Sequence, residues 1–368
     1  MQNILNEVEI KNFKSIKNLK TDCARVNVFI GKPNVGKSNI LEAISLLGAH
    51  YSQNEQKYLS EFIRYEEISN LFYDDDLLNR VEVNTDKGRS ILRSHNNNIN
   101  QVDLLIGNGA WVEEVINFTG SIRDIENTYK TAHKKESLLP ETPTIESLYK
   151  SFGMSGNLTG DISDLVLSTF NLVKKYQFGT LTSFPNKFPY FLLPPNGSNL
   201  FTIVDHNKEL RKEIAEIFAE YGLQFVAYKK ENKFEIEKNI DGYVSKFHYS
   251  SMADTFQRLV FYFAAIDSNK QSVLILEEPE VHSFPPYTKE LSDRIIDSVD
   301  NQFFITTHSP YLLQNLISNL DASELNVFIT YFENYQTKIR KLTEEELRKV
   351  SQFSMDIFFN LNQFVPNA

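Results

Sequence analysis

Eight consecutive residues constrain this chain more than any other feature. Gly31, Lys32, Pro33, Asn34, Val35, Gly36, Lys37 and Ser38 fit the pattern G-x-x-x-x-G-K-[ST]. The run Arg25–Ile30 before them is β-branched and aromatic, which reads as a strand. After them, Ile40, Leu41, Ile44 and Leu47 fall on one helical face. Strand, glycine-bearing loop and helix in that order make a phosphate cradle. The glycines let the backbone curl until successive N–H groups point at phosphate oxygens. The start of the helix adds the positive end of its dipole. Lys37 is suited to neutralise β- and γ-phosphate charge, and the Ser38 hydroxyl to ligate Mg²⁺. Residues Gly31 to Asn39 are therefore expected to bind a nucleoside triphosphate.

A second cluster narrows the class. Val273–Leu276 is a short, continuous apolar run, the mark of a strand buried on both faces of a parallel sheet. It ends in Glu277, Glu278, Pro279 and Glu280. Ligands of α/β folds bind at the C-terminal ends of parallel strands, so these carboxylates are expected beside the phosphate loop. Glu277 stands where an aspartate usually holds Mg²⁺ through water. Glu278 is the candidate general base, orienting the attacking water. Gln302–Thr306 reads as the next buried strand, followed by Thr307, His308, Ser309 and Pro310. A histidine at that strand end reaches a γ-phosphate. Ser309 suits an N-cap and Pro310 the first helical position.

Glu277 lies 240 residues beyond Lys37, and His308 lies 30 beyond Glu278. A crossover between neighbouring parallel strands needs only some tens of residues. The spacing therefore predicts an inserted lobe. Phosphate loop, long insertion, acidic strand and strand-end histidine is the layout of an ABC-type ATPase head. The chain resembles the SMC/RecF/OLD-like branch of those ATPases, in particular small prokaryotic AAA-family proteins found in phage-defence loci. The resemblance rests on Ile10–Ile16, the phosphate loop, Leu276–Pro285 and Thr306–Leu313, which lie towards the two ends of the chain. It implies an α/β P-loop NTPase fold of ABC-type head, with a mixed β-sheet core and ATP and Mg²⁺ as cofactors. Residues 1–80 and 246–335 would form the head, 81–245 an inserted helical and meander lobe, and 336–368 a tail packed on the head.

The resemblance also implies two heads that sandwich ATP, each completing the other's site. The segment Tyr249–Arg258 stands where the family carries the signature that reaches across. Ser250 or Ser251 would supply the contact. The usual glycine is missing, and Asp254 would repel phosphate unless it caps the helix. His282–Pro285 matches the family's dimer-spanning loop. The family's glutamine-bearing loop is sought within 61–73, where no decisive glutamine stands.

The remaining composition bounds the rest. The 368 residues carry a formal charge of −10, with 41% hydrophobic and 23% charged residues, so a core can form. A single cysteine excludes an internal disulfide and a cysteine zinc site, and suggests a reducing, cytoplasmic setting. The first eighteen residues carry charges throughout, unlike a signal peptide, and no apolar run approaches the 18 residues of a membrane span. The pairs Lys174-Lys175 and Lys229-Lys230 and the stretch Lys11–Lys20 read as solvated faces rather than a DNA groove.

These observations favour a Mg²⁺-dependent ATPase whose nucleotide state controls homo-oligomerisation and a separately encoded effector, a nuclease or toxin, in antiviral defence. A RecF-like DNA-repair ATPase that binds DNA directly is the first alternative. A nucleotide-locked scaffold that sequesters a toxin with little turnover is the second.

Overall fold

The computed structural model describes residues 4–95, 98–107, 147–162, 172–352 and 356–365. At its centre lie the three buried runs that the sequence marks as core strands: β3 (Val26–Ile30), β13 (Val273–Glu277) and β14 (Gln302–Thr306). They join β9 (Val173–Tyr176), β15 (Leu325–Glu333) and β16 (Gln336–Lys341) in a six-stranded sheet of order β16-β15-β3-β14-β13-β9. Every pairing is parallel except β15–β16, which closes one edge as an antiparallel hairpin.

Because side chains alternate across a strand, each buried run feeds two separate cores. Val26, Val28, Ile30, Leu274, Leu276, Phe303 and Ile305 point into one. Phe29, Val273, Ile275 and Phe304 point into the other. The first core is covered by helices: α2 (Leu200–His206), α3 (Lys208–Ala219), α4 (Asp254–Ser268), α5 (Pro285–Asp297), α6 (Pro310–Asn319) and α7 (Glu344–Gln352). The second is covered by α1 (Lys37–Ser45) and by an antiparallel sheet. That sheet runs β2-β1-β4-β5-β6-β7-β8, from β1 (Glu7–Phe13), β2 (Ile16–Asp22), β4 (Val81–Thr85), β5 (Arg89–His95), β6 (Asn98–Gly107), β7 (Ser147–Gly153) and β8 (Leu158–Ile162). Truncating a fully buried ring such as Phe304 to Ala costs about 3–5 kcal/mol, from lost transfer energy and the cavity left behind.

Local signals act where they stand. Ser309 caps α6 by accepting from Leu312 N, with Pro310 in the first turn. Thr343 and Glu346 form a reciprocal capping box at the start of α7. Gly222, at φ 67°, lets the chain turn back beyond α3 into the meander β10 (Gln224–Tyr228), β11 (Lys233–Ile240) and β12 (Tyr243–His248). The run Asn96–Asn98 reads as a turn between strands; Asn96 and Asn97 lie outside the described residues, and Asn98 begins β6.

Sheet membership corrects the expected domain boundaries. The described strands between 81 and 245 are divided among three sheets. β1 pairs β2 on one edge and leaves its other edge of N–H and C=O groups to be satisfied; β4 takes it, with Ile10 opposite Val83. Strands β4 to β8 therefore extend the N-terminal sheet, and β9 returns to the core sheet beside β13, with Val173 opposite Val273. The stretch from 336 begins with a strand of the core sheet.

Candidate functional site

The C-terminal ends of β3, β14, β13 and β9 lie side by side, and the sequence-predicted groups gather there. The phosphate loop leaves β3 and enters α1. Gly31 and Gly36 are required by close approach: a Cβ on Gly31 would run into the Thr330 carbonyl, and one on Gly36 into the Thr337 hydroxyl. Gly36 also sits at φ 94°, where a side chain is strained. The Lys37 ammonium is buried and donates to the carbonyls of Gly31 at 3.0 Å and Lys32 at 2.9 Å. Two of its three N–H groups are thus committed across the loop. Burial pulls its pKa down, and the charges of Glu278 and Glu277 oppose that shift.

Glu277 ends β13. Its carboxylate accepts from Arg64 Nη2 at 2.9 Å, lies 3.4 Å from Lys175 Nζ, and shares a cleft with Ser38. Burial alone would raise its pKa. Lys175, Ser38 and Arg64 outweigh that and hold the carboxyl below its ordinary value. It is an ionised hard oxygen donor next to a hydroxyl.

Glu278 follows at φ 43°, a left-handed conformation costly for a non-glycine residue. Its N–H holds that bend by donating to Thr306 O at 3.0 Å and Thr306 Oγ1 at 3.2 Å. The side chain meets His308 Nε2 at 3.3 Å. Burial and then the Lys37 charge lower the His308 pKa, against the pull of Glu278, so the imidazole is neutral at pH 7. Buried Glu280 accepts from Thr307 Oγ1 at 2.7 Å and from His308 N at 2.8 Å, tying the two strand ends together.

Sequence reasoning missed three cleft residues. Arg64, Lys175 and Gln177 line a cleft of about 320 Å³ together with Ser38, Glu277 and Glu278. Residues 61–73, searched for a glutamine, supply Arg64 instead. The glutamine at the cleft is Gln177, directly after β9. Its signal was a polar residue closing a run of strand length, disguised by two lysines. Those lysines also correct an expectation. Lys174 and Lys175 are not a solvated face but are 4% and 2% exposed. Lys174 donates to Asn269 and Ser272 at 2.7 and 3.0 Å, and Lys175 to Phe62 O at 2.7 Å. Pairing of β9 with β13 carries both inside.

Of the signature segment, Arg258 lines this cleft; Ser250, Ser251 and Asp254 do not. Tyr249–Ser251 forms a 3₁₀ turn before α4, and the Ser251 hydroxyl donates to His248 O at 2.6 Å. Asp254 does not cap the helix; the N-cap is Ala253, without a side-chain bond. The Asp254 carboxylate is instead matched by Arg258 Nε at 2.6 Å and His282 Nδ1 at 2.9 Å. Burial is the largest single influence and would raise its pKa, but these two partners together outweigh it and lower it.

The phosphate loop at the end of a central parallel strand, with carboxylates two strands away and a histidine on the strand between, defines a P-loop NTPase of the ABC-type head class. Residues 121–314 match the profile of the family described as "AAA domain, putative AbiEii toxin, Type IV TA system". That match spans more than half of the chain, and the chain belongs to this family. It takes in Glu277, Glu278 and His308 and leaves the phosphate loop outside.

Solved structures with some likeness include an SMC head bound to the C-terminal winged-helix domain of ScpA (16% identity, 94% of this chain and 99% of that one, TM-score 0.49). Others are the SMC head of Thermotoga maritima (12%, 92% and 99%, TM-score 0.40) and the SMC head of Pyrococcus furiosus with an extended coiled coil, bound to the C-terminal domain of ScpA (14%, 95% and 99%, TM-score 0.47). No curated protein sequence is significantly similar to the chain. Among the described residues, no helix is long and apolar enough to cross a membrane.

Proposed function

We propose that the chain is a Mg²⁺-dependent ATPase whose nucleotide state controls its self-association and, through it, a separately encoded effector in anti-phage defence. The observation that carries the reading is that Ser38, Glu277 and Glu278 line one cleft at the end of the sheet and that His308 meets Glu278 there. ATP phosphates would lie on backbone N–H groups of the loop 31–39, of which Pro33 has none, with Lys37 as their counter-charge. Ser38 and Glu277 fit Mg²⁺, which takes few protein oxygens and completes its shell with phosphate and water. Among the described residues, no group of three or more His, Cys, Asp or Glu side chains is placed to hold a metal ion. When bound, the ion neutralises charge on the β- and γ-phosphates.

Glu278 would take the proton of the attacking water, at a carboxylate turned into place by its bent backbone. Neutral His308 would donate to a γ-phosphate oxygen. Gln177 and Arg64 stand where they can contact the phosphates or the water between them. Ser250 or Ser251 would complete the site of a second copy. The family's description as a toxin of a toxin–antitoxin system supports a defence role. The test is Glu278→Gln: it should bind ATP, turn it over very slowly and accumulate as a dimer. Turnover at the wild-type rate would remove the assigned role.

One observation favours a second reading. Asp254 is locked to Arg258 and His282 at the segment meant to meet the opposite nucleotide, which suits a scaffold with negligible turnover. Phosphate release well below about one per minute, against 1–10³ per second for ordinary enzymes, would select it. Direct DNA binding loses its best basic pair, since Lys174 and Lys175 are buried.

A further inference from the structure

The phosphate loop is held from outside by a part of the chain that no motif marks. Thr337, near the start of β16, is fully buried, and its hydroxyl donates to the carbonyl of Val35 at 2.9 Å. The same oxygen lies 2.6 Å from the Ser15 hydroxyl, in the turn between β1 and β2. Ser15 in turn accepts from Asn39 Nδ2 at 2.7 Å, and its carbonyl accepts from Thr337 N at 2.8 Å.

A hydroxyl has one proton to give. Thr337 gives its proton to Val35 O, so Ser15 must be the donor of the 2.6 Å bond, and Asn39 donates to Ser15. The relay therefore runs one way, from the Asn39 amide through Ser15 and Thr337 to the Val35 carbonyl. Such chains strengthen each member bond. In a trans peptide the C=O of one residue and the N–H of the next point in opposite directions. Fixing the Val35 carbonyl on the outside aims the Gly36 N–H at the inside of the loop, where phosphate would lie. The close approach that forbids a Cβ on Gly36 is to this same Thr337 hydroxyl.

We propose that Thr337 is a positioning residue for phosphate binding: its hydroxyl, oriented by Ser15 and Asn39, sets the Val35–Gly36 peptide so that the Gly36 N–H meets the phosphate. This rests on the reading of the loop as a nucleotide site. It ties phosphate affinity to a hairpin that lies 300 residues further along the chain.

The experiment compares wild type with Thr337→Val, Thr337→Ser, Ser15→Ala and the double variant Ser15→Ala/Thr337→Val. Binding of ADP and of an imido-bridged ATP analogue is measured by calorimetry, and nucleotide-free unfolding temperature by scanning. A hydrogen bond to a charged group is worth enough that misaiming one N–H should cost about tenfold in affinity. Thr337→Val, which keeps the branched shape, should lose about that for both nucleotides while its unfolding temperature holds within about 2 °C. Thr337→Ser should bind as wild type does. The double variant should be no weaker than Thr337→Val, because both changes cut one relay.

Wild-type affinity in Thr337→Val, or a Thr337→Ser variant as weak as Thr337→Val, overturns the proposal. If Thr337→Val does not fold, Ser15→Ala at its half-buried site gives the deciding readout by the same criteria. Failure of the wild type itself to bind either nucleotide would instead sink the ATPase reading, and this inference with it.

Discussion

The end of the parallel sheet and the signature segment are asked to serve one reaction, yet they are built differently. At the sheet end each functional group is fixed by the strand that carries it and by buried neighbours. Glu277 has three cationic or hydroxyl partners, the Glu278 backbone is clamped by Thr306, and the His308 peptide is held by Glu280. At Tyr249–Asp254 the groups are exposed or half-exposed beyond Tyr249, and the bonds that exist satisfy the segment itself. The difference teaches where a single copy is complete. On the proposed reading, the groups for phosphate binding and water activation are preorganised within one chain. Whatever the signature segment would contribute to a second copy must be gained against existing local bonds.

The comparison breaks most clearly at Lys37. Lys37→Ala removes the buried ammonium proposed as the phosphates' counter-charge and should lower ATP affinity at least 100-fold in calorimetry. Removing a signature serine should leave the affinity of a single copy unchanged. Equal losses at the two places would mean that nucleotide binding already needs two copies.

Glu278→Gln comes next. A general base contributes about 10²–10⁴-fold, so steady-state phosphate release should fall by that range while ATP affinity is retained. Size-exclusion chromatography with ATP should then show the dimer. In the same assay Ser250→Ala should slow release about tenfold and prevent the dimer from accumulating. Ser251→Ala should do less, because the Ser251 hydroxyl already donates to His248 O.

The two regions also differ in how far the sequence disclosed them. Gly31–Ser38, Glu277, Glu278 and His308 were legible because each is local: a short apolar run followed at once by the functional residue. The core strands β3, β13 and β14 and the helices α1 and α6 were legible for the same reason. Lys175, Gln177 and Thr337 were not, because their places depend on pairings between distant stretches. Val173–Tyr176 reads as a charged fragment until β13 lies beside it. Thr337 is an ordinary hairpin residue until the β15–β16 turn brings it under Val35. The pairing of β4 with β1, which carries part of the 81–245 range into the N-terminal sheet, was hidden for the same reason, since an unpaired edge of β1 recruits β4 whatever the local pattern says.

Lys175 tests how much of the preorganisation is electrostatic. Its ammonium is buried and its pKa is lowered by that burial, against the raising effect of Glu277. The Glu277 carboxyl sits below its ordinary value in the folded chain, so its stabilising contribution is complete above the unfolded value near 4.5. It is lost as pH falls through the folded value. Lys175→Met removes the strongest cause of that depression. The wild type should therefore lose stability more steeply than Lys175→Met on acidification below about pH 4.5, and be the more stable of the two at pH 7. Thermal unfolding across that range is the check; parallel curves would show that Arg64 and Ser38 alone hold the carboxylate.

The smallest effect belongs to His308. Its folded pKa is lowered, by burial first and by Lys37 second. Below the ordinary value of 6.5 the unfolded chain therefore binds the proton more readily than the folded one. The stability this histidine permits is complete above 6.5 and declines as pH drops through that value towards the lower folded one. The side chain is 42% exposed, so solvent screens the effect. Wild type should lose slightly more unfolding temperature than His308→Asn between pH 7.5 and 5.5, and phosphate release should stay level from pH 7 to 8. A rate that instead climbs through pH 7 would mean that His308 is charged there, and that Glu278, not Lys37, governs its proton.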